Sequence, residues 1–200
     1  PADLQIVFEK NVELAILNSS NLVVTGTSLI DEHSRKQVLK MMSHATKNDC
    51  KVWLDLDYRH WNWPDEGATR SAYQKAEKLS DVIVGNEEEF KILNDDLNIQ
   101  VKECISKNKI MILKKGENGC TLFSGNCTLK TGIYKSKIMK PYGSGDAFHG
   151  NLIMNYMAFG DWKKAAEAGS AAAAIVVSKK GCASAMPSNK EIKSLQDSTS

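Results

Sequence analysis

No run of apolar residues in this sequence is long enough to cross a bilayer. The longest, AAAAIVV at 171–177, falls far short of the ~20 residues that a membrane helix needs, so no membrane partner is expected. No signal-peptide pattern is visible, and a cytoplasmic location is expected. Charge of one sign is also lacking: 26 Lys and Arg stand against 24 Asp and Glu, a formal net charge of +2. The chain therefore carries no electrostatic footprint for nucleic acid, and the lysines at 135–140 and 179–180 read as solvated loops. There is no Cys-x-x-Cys pair. The five cysteines (Cys50, Cys104, Cys120, Cys127 and Cys182) are odd in number and match no zinc spacing, and the histidines show no metal-ligand spacing either. Reduced, partly buried thiols are the expectation. Two phosphate fingerprints are missing as well. G-x-x-x-x-G-K-[ST] does not occur, and no G-x-G-x-x-G follows a first strand.

What remains is ordinary globular composition, 42% hydrophobic and 25% charged over 200 residues, enough for one domain with a real core. Short apolar runs at 21–26, 51–57, 81–86 and 109–116 read as strands. Residues 33–48, 64–80, 87–94 and 99–108 read as helices, the second opening on Pro64 and acids as helix N-termini do. This alternation predicts an α/β fold with a parallel sheet covered by helices on both faces. After residue 116 the pattern changes to a hairpin turning at Ser124–Gly125–Asn126, then helices over 145–159 and 161–178. No repeat or low-complexity tract interrupts the chain before the polar tail DSTS.

In such sheets ligands bind at the carboxyl ends of the strands. There the sequence places Gly26, Asp55, Asp57, Arg59, Asn86, Glu89, Lys114 and Gly116. Acids, an arginine, an Asn-x-x-Glu and lysines at one edge point to a phosphorylated ligand with a metal ion.

The second feature is KPYGSGDAFHG at 140–150. Glycines let a backbone approach an anion, and a helix N-terminus offers unpaired amides and partial positive charge. Gly143, Ser144 and Gly145 could thus form an anion hole for a transferring phosphoryl group. Asp146 in the first helical turn is either a general base for an attacking hydroxyl or a plain N-terminal capping residue.

GSGDAF at 143–148 resembles the C-terminal signature of the ribokinase-like, or PfkB, carbohydrate kinases, usually seen as Asp-Thr-Thr-Gly-Ala-Gly-Asp-Ala-Phe. NEEE at 86–89, KKGENGC at 114–120 and AAAAIVVSKKGCASAMPS at 171–188 resemble three further motifs of that family, in the family's order. VVTGTSL at 23–29 and DLDYRHWNW at 55–63 are similar to the branch acting on 5-dehydro-2-deoxygluconate in inositol catabolism. 2-Keto-3-deoxygluconate kinases and fructokinases are the alternatives within the family, and an inactive fragment serving as a binding module is the alternative outside it.

The resemblance implies a ribokinase-like three-layer sandwich, one domain over 1–200 amounting to the C-terminal two thirds of the family fold. It implies an enzyme that moves the γ-phosphate of ATP to a primary hydroxyl of a keto-deoxy sugar acid. By resemblance Asp146 is the base, with Gly143, Ser144 and Gly145 as the anion hole. Arg59 and Asp57 face substrate, although Arg59 could instead pair with Asp55 or Asp57. Asn86, Lys114, Gly116, Gly119 and Ser170 border the nucleotide, while the alternatives are a surface role for Lys114 and close helix packing for the small residues around Ser170. Glu89 helps hold Mg²⁺, partly through water, while Glu87 and Glu88 serve the helix dipole. Trp61 and Trp63 are read as packing residues. Many relatives use a monovalent cation beside the signature. Here Lys140 and Tyr142 stand where those ligands would be, so an inward-folded Lys140 ammonium is expected to replace that cation. The family's opening strands, Gly-Gly substrate motif and lid are absent, Pro1–Leu4 matching a point well inside the family's chain. The expectation is an N-terminally truncated chain with an exposed sheet edge, weak nucleotide binding alone, and a partner or second copy (a possible homodimer) over that edge.

Overall fold

The computed structural model describes residues 5–140 and 142–198. Pro1–Leu4, Pro141 of the glycine-rich signature and the last two residues of the DSTS tail lie outside the described residues. The fold is α/β. Six strands, β1 (Asn21–Thr25), β2 (Lys51–Asp55), β3 (Val82–Asn86), β4 (Ile110–Lys114), β5 (Cys120–Ser124) and β6 (Cys127–Thr131), form one sheet in chain order. β1 to β4 pair in parallel, and β5 and β6 are joined by only two residues, which permits only an antiparallel hairpin. The eight α-helices among the described residues are α1 (Lys10–Leu17), α2 (Glu32–Lys47), α3 (Glu66–Lys78), α4 (Glu87–Leu93), α5 (Leu97–Ser106), α6 (Ser144–Phe159), α7 (Trp162–Val177) and α8 (Asn189–Asp197).

The chain divides into two compact units. The first runs as far as Lys114 and takes in Leu122–Thr128; the second holds Lys115–Thr121 and everything from Leu129 onward. In the first unit β2, β3 and β4 are continuous apolar runs because both faces are covered: Val52, Trp53, Leu54, Val82, Ile83, Val84, Met111, Ile112 and Leu113 are all buried. The amphipathic helix α2 adds Val38, Met41, Met42 and Ala45 to that core. Asp31 and Asp65 accept backbone N–H groups from Ser34 and Ala68 and so start α2 and α3. The second unit has its own core, where Ala147 of α6 meets Ala168, Ala171, Ala172 and Val176 of α7, with Ile192 of α8.

α1 and α8 were not expected. α8 carries a readable signal, a reciprocal capping box between Ser188 and Glu191, whereas α1 has no side-chain cap at all. All five cysteines are free, three of them buried. No helix among the described residues is long and apolar enough to cross a membrane.

Candidate functional site

In the first unit the register of the sheet builds the cluster. Asp55 ends β2 opposite Thr25 of β1, and Asn86 at the end of β3 pairs directly with Lys114 at the end of β4. Three strands therefore deliver an acid, an amide and a lysine to one edge. Asn86 is also the N-cap of α4, its Oδ1 accepting the Glu89 N–H at 2.9 Å, while Glu89 Oε2 accepts the Asn86 N–H at 2.7 Å. The Asn-x-x-Glu spacing is thus also a capping box. The second Glu89 oxygen, Oε1, accepts the Tyr58 N–H at 3.1 Å. Lys114 Nζ lies 3.3 Å from Asp55 Oδ1 and 3.8 Å from Glu89 Oε2.

Asp55 and Glu89 are each only 4% exposed. Burial lifts the Glu89 carboxyl above its ordinary pKa, and it prevails over the opposing pull of Lys114 and the Asn86 amide. Burial alone would lower the Lys114 ammonium, but the fields of Asp55 and Glu89 outweigh it and hold the group above the usual lysine value. Tyr73 donates to the Leu56 carbonyl at 2.5 Å. Burial first, and the Glu89 charge second, push its phenol well above the ordinary range, so Tyr73 remains a neutral donor that ties α3 to the β2 end of the cluster.

Asp57 adopts the left-handed region, φ 37°, and its Oδ1 lies 2.7 Å from Arg59 Nη2. The ion pair anticipated as an alternative for Arg59 is therefore formed, with Asp57 as the partner. Trp63 packs edge-on against Tyr73 at 5.7 Å, in line with a packing role. Trp61 does not pack: it is 69% exposed and meets only the His60 ring among the aromatic contacts described. Among the described residues no group of three or more His, Cys, Asp or Glu could hold a metal ion. With both Glu89 oxygens accepting backbone amides, these residues do not fit a direct Mg²⁺ cage. They fit at most an ion that keeps its own water shell.

In the second unit, Gly143 is the N-cap of α6 at φ 83°, ψ −3°. This left-handed turn lets the helix begin abruptly, and a Cβ at this position would sit 2.6 Å from Cys182 Sγ. The first intrahelical bond is Ala147 N–H to the Gly143 carbonyl at 3.0 Å, so the helical ladder offers no acceptor to the amides of Gly145 and Asp146. Asp146 is exposed in this first turn. Just upstream, Lys140 Nζ donates to the Tyr142 carbonyl at 2.9 Å, and the amides of Met139 and Lys140 both reach Val177 O at the end of α7. Gly116 and Gly119 bracket a tight 3-10 turn closed by Lys115 N–H to Gly119 O at 2.7 Å. Gly119, at φ 77°, has no room for a side chain, because a Cβ would lie 2.0 Å from Thr131 O. Ser170 is buried in α7, and its neighbour Gly169 lies so close to α6 that a Cβ would meet Phe148 O at 2.8 Å. The small residues there serve close helix packing.

The family model described as pfkB family carbohydrate kinase matches residues 2–189. The chain is 35% identical over 198 residues to 5-dehydro-2-deoxygluconokinase of Photobacterium profundum, covering 94% of this chain and 60% of that protein. It is 32% identical over 205 residues to the protein of the same name from Bacillus anthracis, covering 98% and 62%. It therefore spans about three fifths of the length of these curated relatives. Among solved structures, the fructokinase with bound ATP from Xylella fastidiosa superposes with a TM-score of 0.88 at 18% identity, covering 98% of this chain and 67% of that one. The fructokinase of Vibrio cholerae, solved with fructose, ADP and calcium ion, gives 0.80 at 19%, covering 88% and 60%. At such identities the likeness establishes the fold, which is ribokinase-like.

Proposed function

The chain belongs to the pfkB family of carbohydrate kinases, and on that premise we propose that it is the larger part of an ATP-dependent kinase for a keto-deoxy sugar acid, 5-dehydro-2-deoxygluconate. Asp146 is the general base. It takes the proton of the sugar's primary hydroxyl as that oxygen bonds to the γ-phosphorus and the bond to the β–γ bridging oxygen breaks, leaving ADP. The amides of Gly143, Ser144, Gly145 and Asp146 receive the charge that builds on the transferring phosphoryl oxygens. The observation that carries this reading is local: an exposed carboxylate and first-turn amides outside the helical ladder share one end of α6, directly after a left-handed glycine.

Arg59, already oriented by Asp57, is the residue for the carboxylate of the sugar acid, since a guanidinium fork matches that group. Gly116 and Gly119 border the nucleotide, with Ser170 on its adenine side. The Mg²⁺ that accompanies ATP neutralises phosphate charge. Asn86 and Glu89 act on its water shell and not as direct ligands. Lys114 is turned toward Asp55 and Glu89 and is left out of the phosphate contacts.

The test is Asp146→Asn in the intact protein. Turnover is expected to fall roughly 10²- to 10⁴-fold, as loss of a general base does, with the thermal melt unchanged. Near-normal turnover removes the base assignment. In the same assay 5-dehydro-2-deoxygluconate is expected to give the highest kcat/KM in a panel of keto-deoxy sugar acids and hexoses.

A further inference from the structure

One buried side chain of the first unit takes no part in the strand-end cluster and has no partner of its own. Gln100, on α5, is 4% exposed. Both polar ends of its amide, Nε2 and Oε1, are shut away from solvent, and neither has a hydrogen-bond partner among the described residues. An amide left in that state costs free energy, and in native proteins it is normally met by protein, water or a bound molecule. Gln100 lines a cleft of about 190 Å³ between α3, the end of α4 and α5. Glu77, Lys78 and Lys107 on its walls stand just ahead of β3 and β4 in the chain. The cleft therefore extends toward the amino ends of those strands, whereas Asn86 and Lys114 lie at the carboxyl ends.

The cleft restricts its occupant in three ways. Its volume of about 190 Å³ is modestly above that of an engineered cavity of about 150 Å³ that holds benzene, so it takes one six-membered ring with small substituents. Its acids are already neutralised: Glu77 Oε1 lies 3.1 Å from Lys109 Nζ, and Glu103 Oε2 lies 3.6 Å from Lys107 Nζ. Lys78 stands in solvent, and Leu93 and Cys104 are buried. Such walls favour an uncharged molecule. Finally, the Gln100 amide offers a donor and an acceptor side by side. A lactam edge, N–H beside C=O, satisfies both together, as glutamine does with a base edge in nucleic-acid recognition. The last torsion of a glutamine is soft, so the amide can turn its edge toward an occupant of the cleft.

We propose that this cleft is a binding site for an uncharged single-ring lactam of the pyrimidine-base type. The lactam N–H donates to Gln100 Oε1, and its carbonyl accepts from Nε2. The assignment goes beyond the kinase reading and does not depend on it, since its test measures binding and melting and involves no turnover.

The experiment titrates uracil into the intact protein, followed by ligand-observed NMR, beside two variants. Saturable binding is expected with a Kd of roughly 1 mM or tighter, the scale open to so small a ligand. 1,3-Dimethyluracil has the same ring without an N–H and is expected to bind at least roughly tenfold more weakly. Gln100→Met keeps the length of the side chain and removes both polar ends. It is expected to weaken uracil binding by roughly tenfold or more, yet to melt at or above the wild-type midpoint, by up to roughly 4 °C, because an unpaired amide is gone. Glu103→Trp, at an exposed position on the cleft wall, is expected to obstruct the cleft and weaken binding with little change in the melt. The proposal is overturned if uracil shows no saturable binding, if 1,3-dimethyluracil binds equally well, or if either variant binds uracil as the wild type does. A Gln100→Met midpoint clearly below the wild type, or failure of that variant to fold, shows the amide already paired and overturns it too.

Discussion

Gly143→Ala is the sharpest test of the glycine turn that opens α6. Gly143 sits at φ 83°, where a residue with a Cβ costs about 1–2 kcal/mol relative to glycine. The new Cβ would also lie 2.6 Å from Cys182 Sγ and 3.4 Å from Val176 Cγ1. Overpacking of this kind costs about 1–3 kcal/mol. Cys182 is exposed and can yield, which favours the lower half of that range. Together these give a loss of roughly 2–4 kcal/mol, or a midpoint lowered by roughly 10 °C in a protein of this length. The assay is denaturant and thermal unfolding of the intact protein, run beside Cys182→Ala and the double variant. Cys182→Ala alone is expected to be nearly neutral. The double variant is expected to keep the backbone penalty and lose the steric one. A Gly143→Ala protein that melts with the wild type refutes the left-handed cap. A double variant as unstable as the single refutes the clash with sulfur. Turnover should fall with the backbone distortion, because the amides of residues 144–146 take their direction from this cap.

Two further outcomes are expected. Glu191 is held at about 2, chiefly by the hydrogen bond from Lys179 and then by the Ser188 cap, so its contribution to anchoring α8 is full above its ordinary 4.5 and is lost as pH falls toward 2. The difference in melting midpoint between wild type and Glu191→Gln should shrink across that window, and a pH-independent difference would count against the assignment. We also propose that Lys140, whose ammonium already donates to the Tyr142 carbonyl at 2.9 Å, serves in place of a monovalent cation. Replacing K⁺ by Na⁺ or choline should then leave phosphoryl transfer by the intact protein unchanged, and a strong K⁺ requirement would sink the idea.

Much of the fold was legible because its signals are local. The four parallel strands are short apolar runs ended by acids, glycine or lysine, and each lies within the stretch that reads as a strand. α2, α3 and α5 follow 3.6-residue periodicity, and the two-residue turn at Gly125–Asn126 marks the hairpin. α1 was illegible because it has neither a side-chain cap nor a strong apolar face, with Ile16 its only buried residue. The glycine signature was legible for the same local reason: a left-handed cap needs glycine whatever lies around it.

The chemistry of the strand-end cluster was not legible in this way. Nothing in the sequence distinguishes a glutamate that reaches solvent from one whose two oxygens are taken by Asn86 and Tyr58, thirty-one residues away in the second case. Nor could spacing tell that Arg59 would choose Asp57, that Trp61 would stand in solvent while Trp63 packed on Tyr73, or that Lys114 would reach across fifty-nine positions to Asp55. The sequence by itself determined the four parallel strands, the hairpin and the helices from α2 to α7, to within a few residues at their ends, because those choices are settled largely by near neighbours. The partners of buried charged groups were decided only by the tertiary structure. A charge removed from water must be met by whatever the register of distant strands brings within hydrogen-bonding distance.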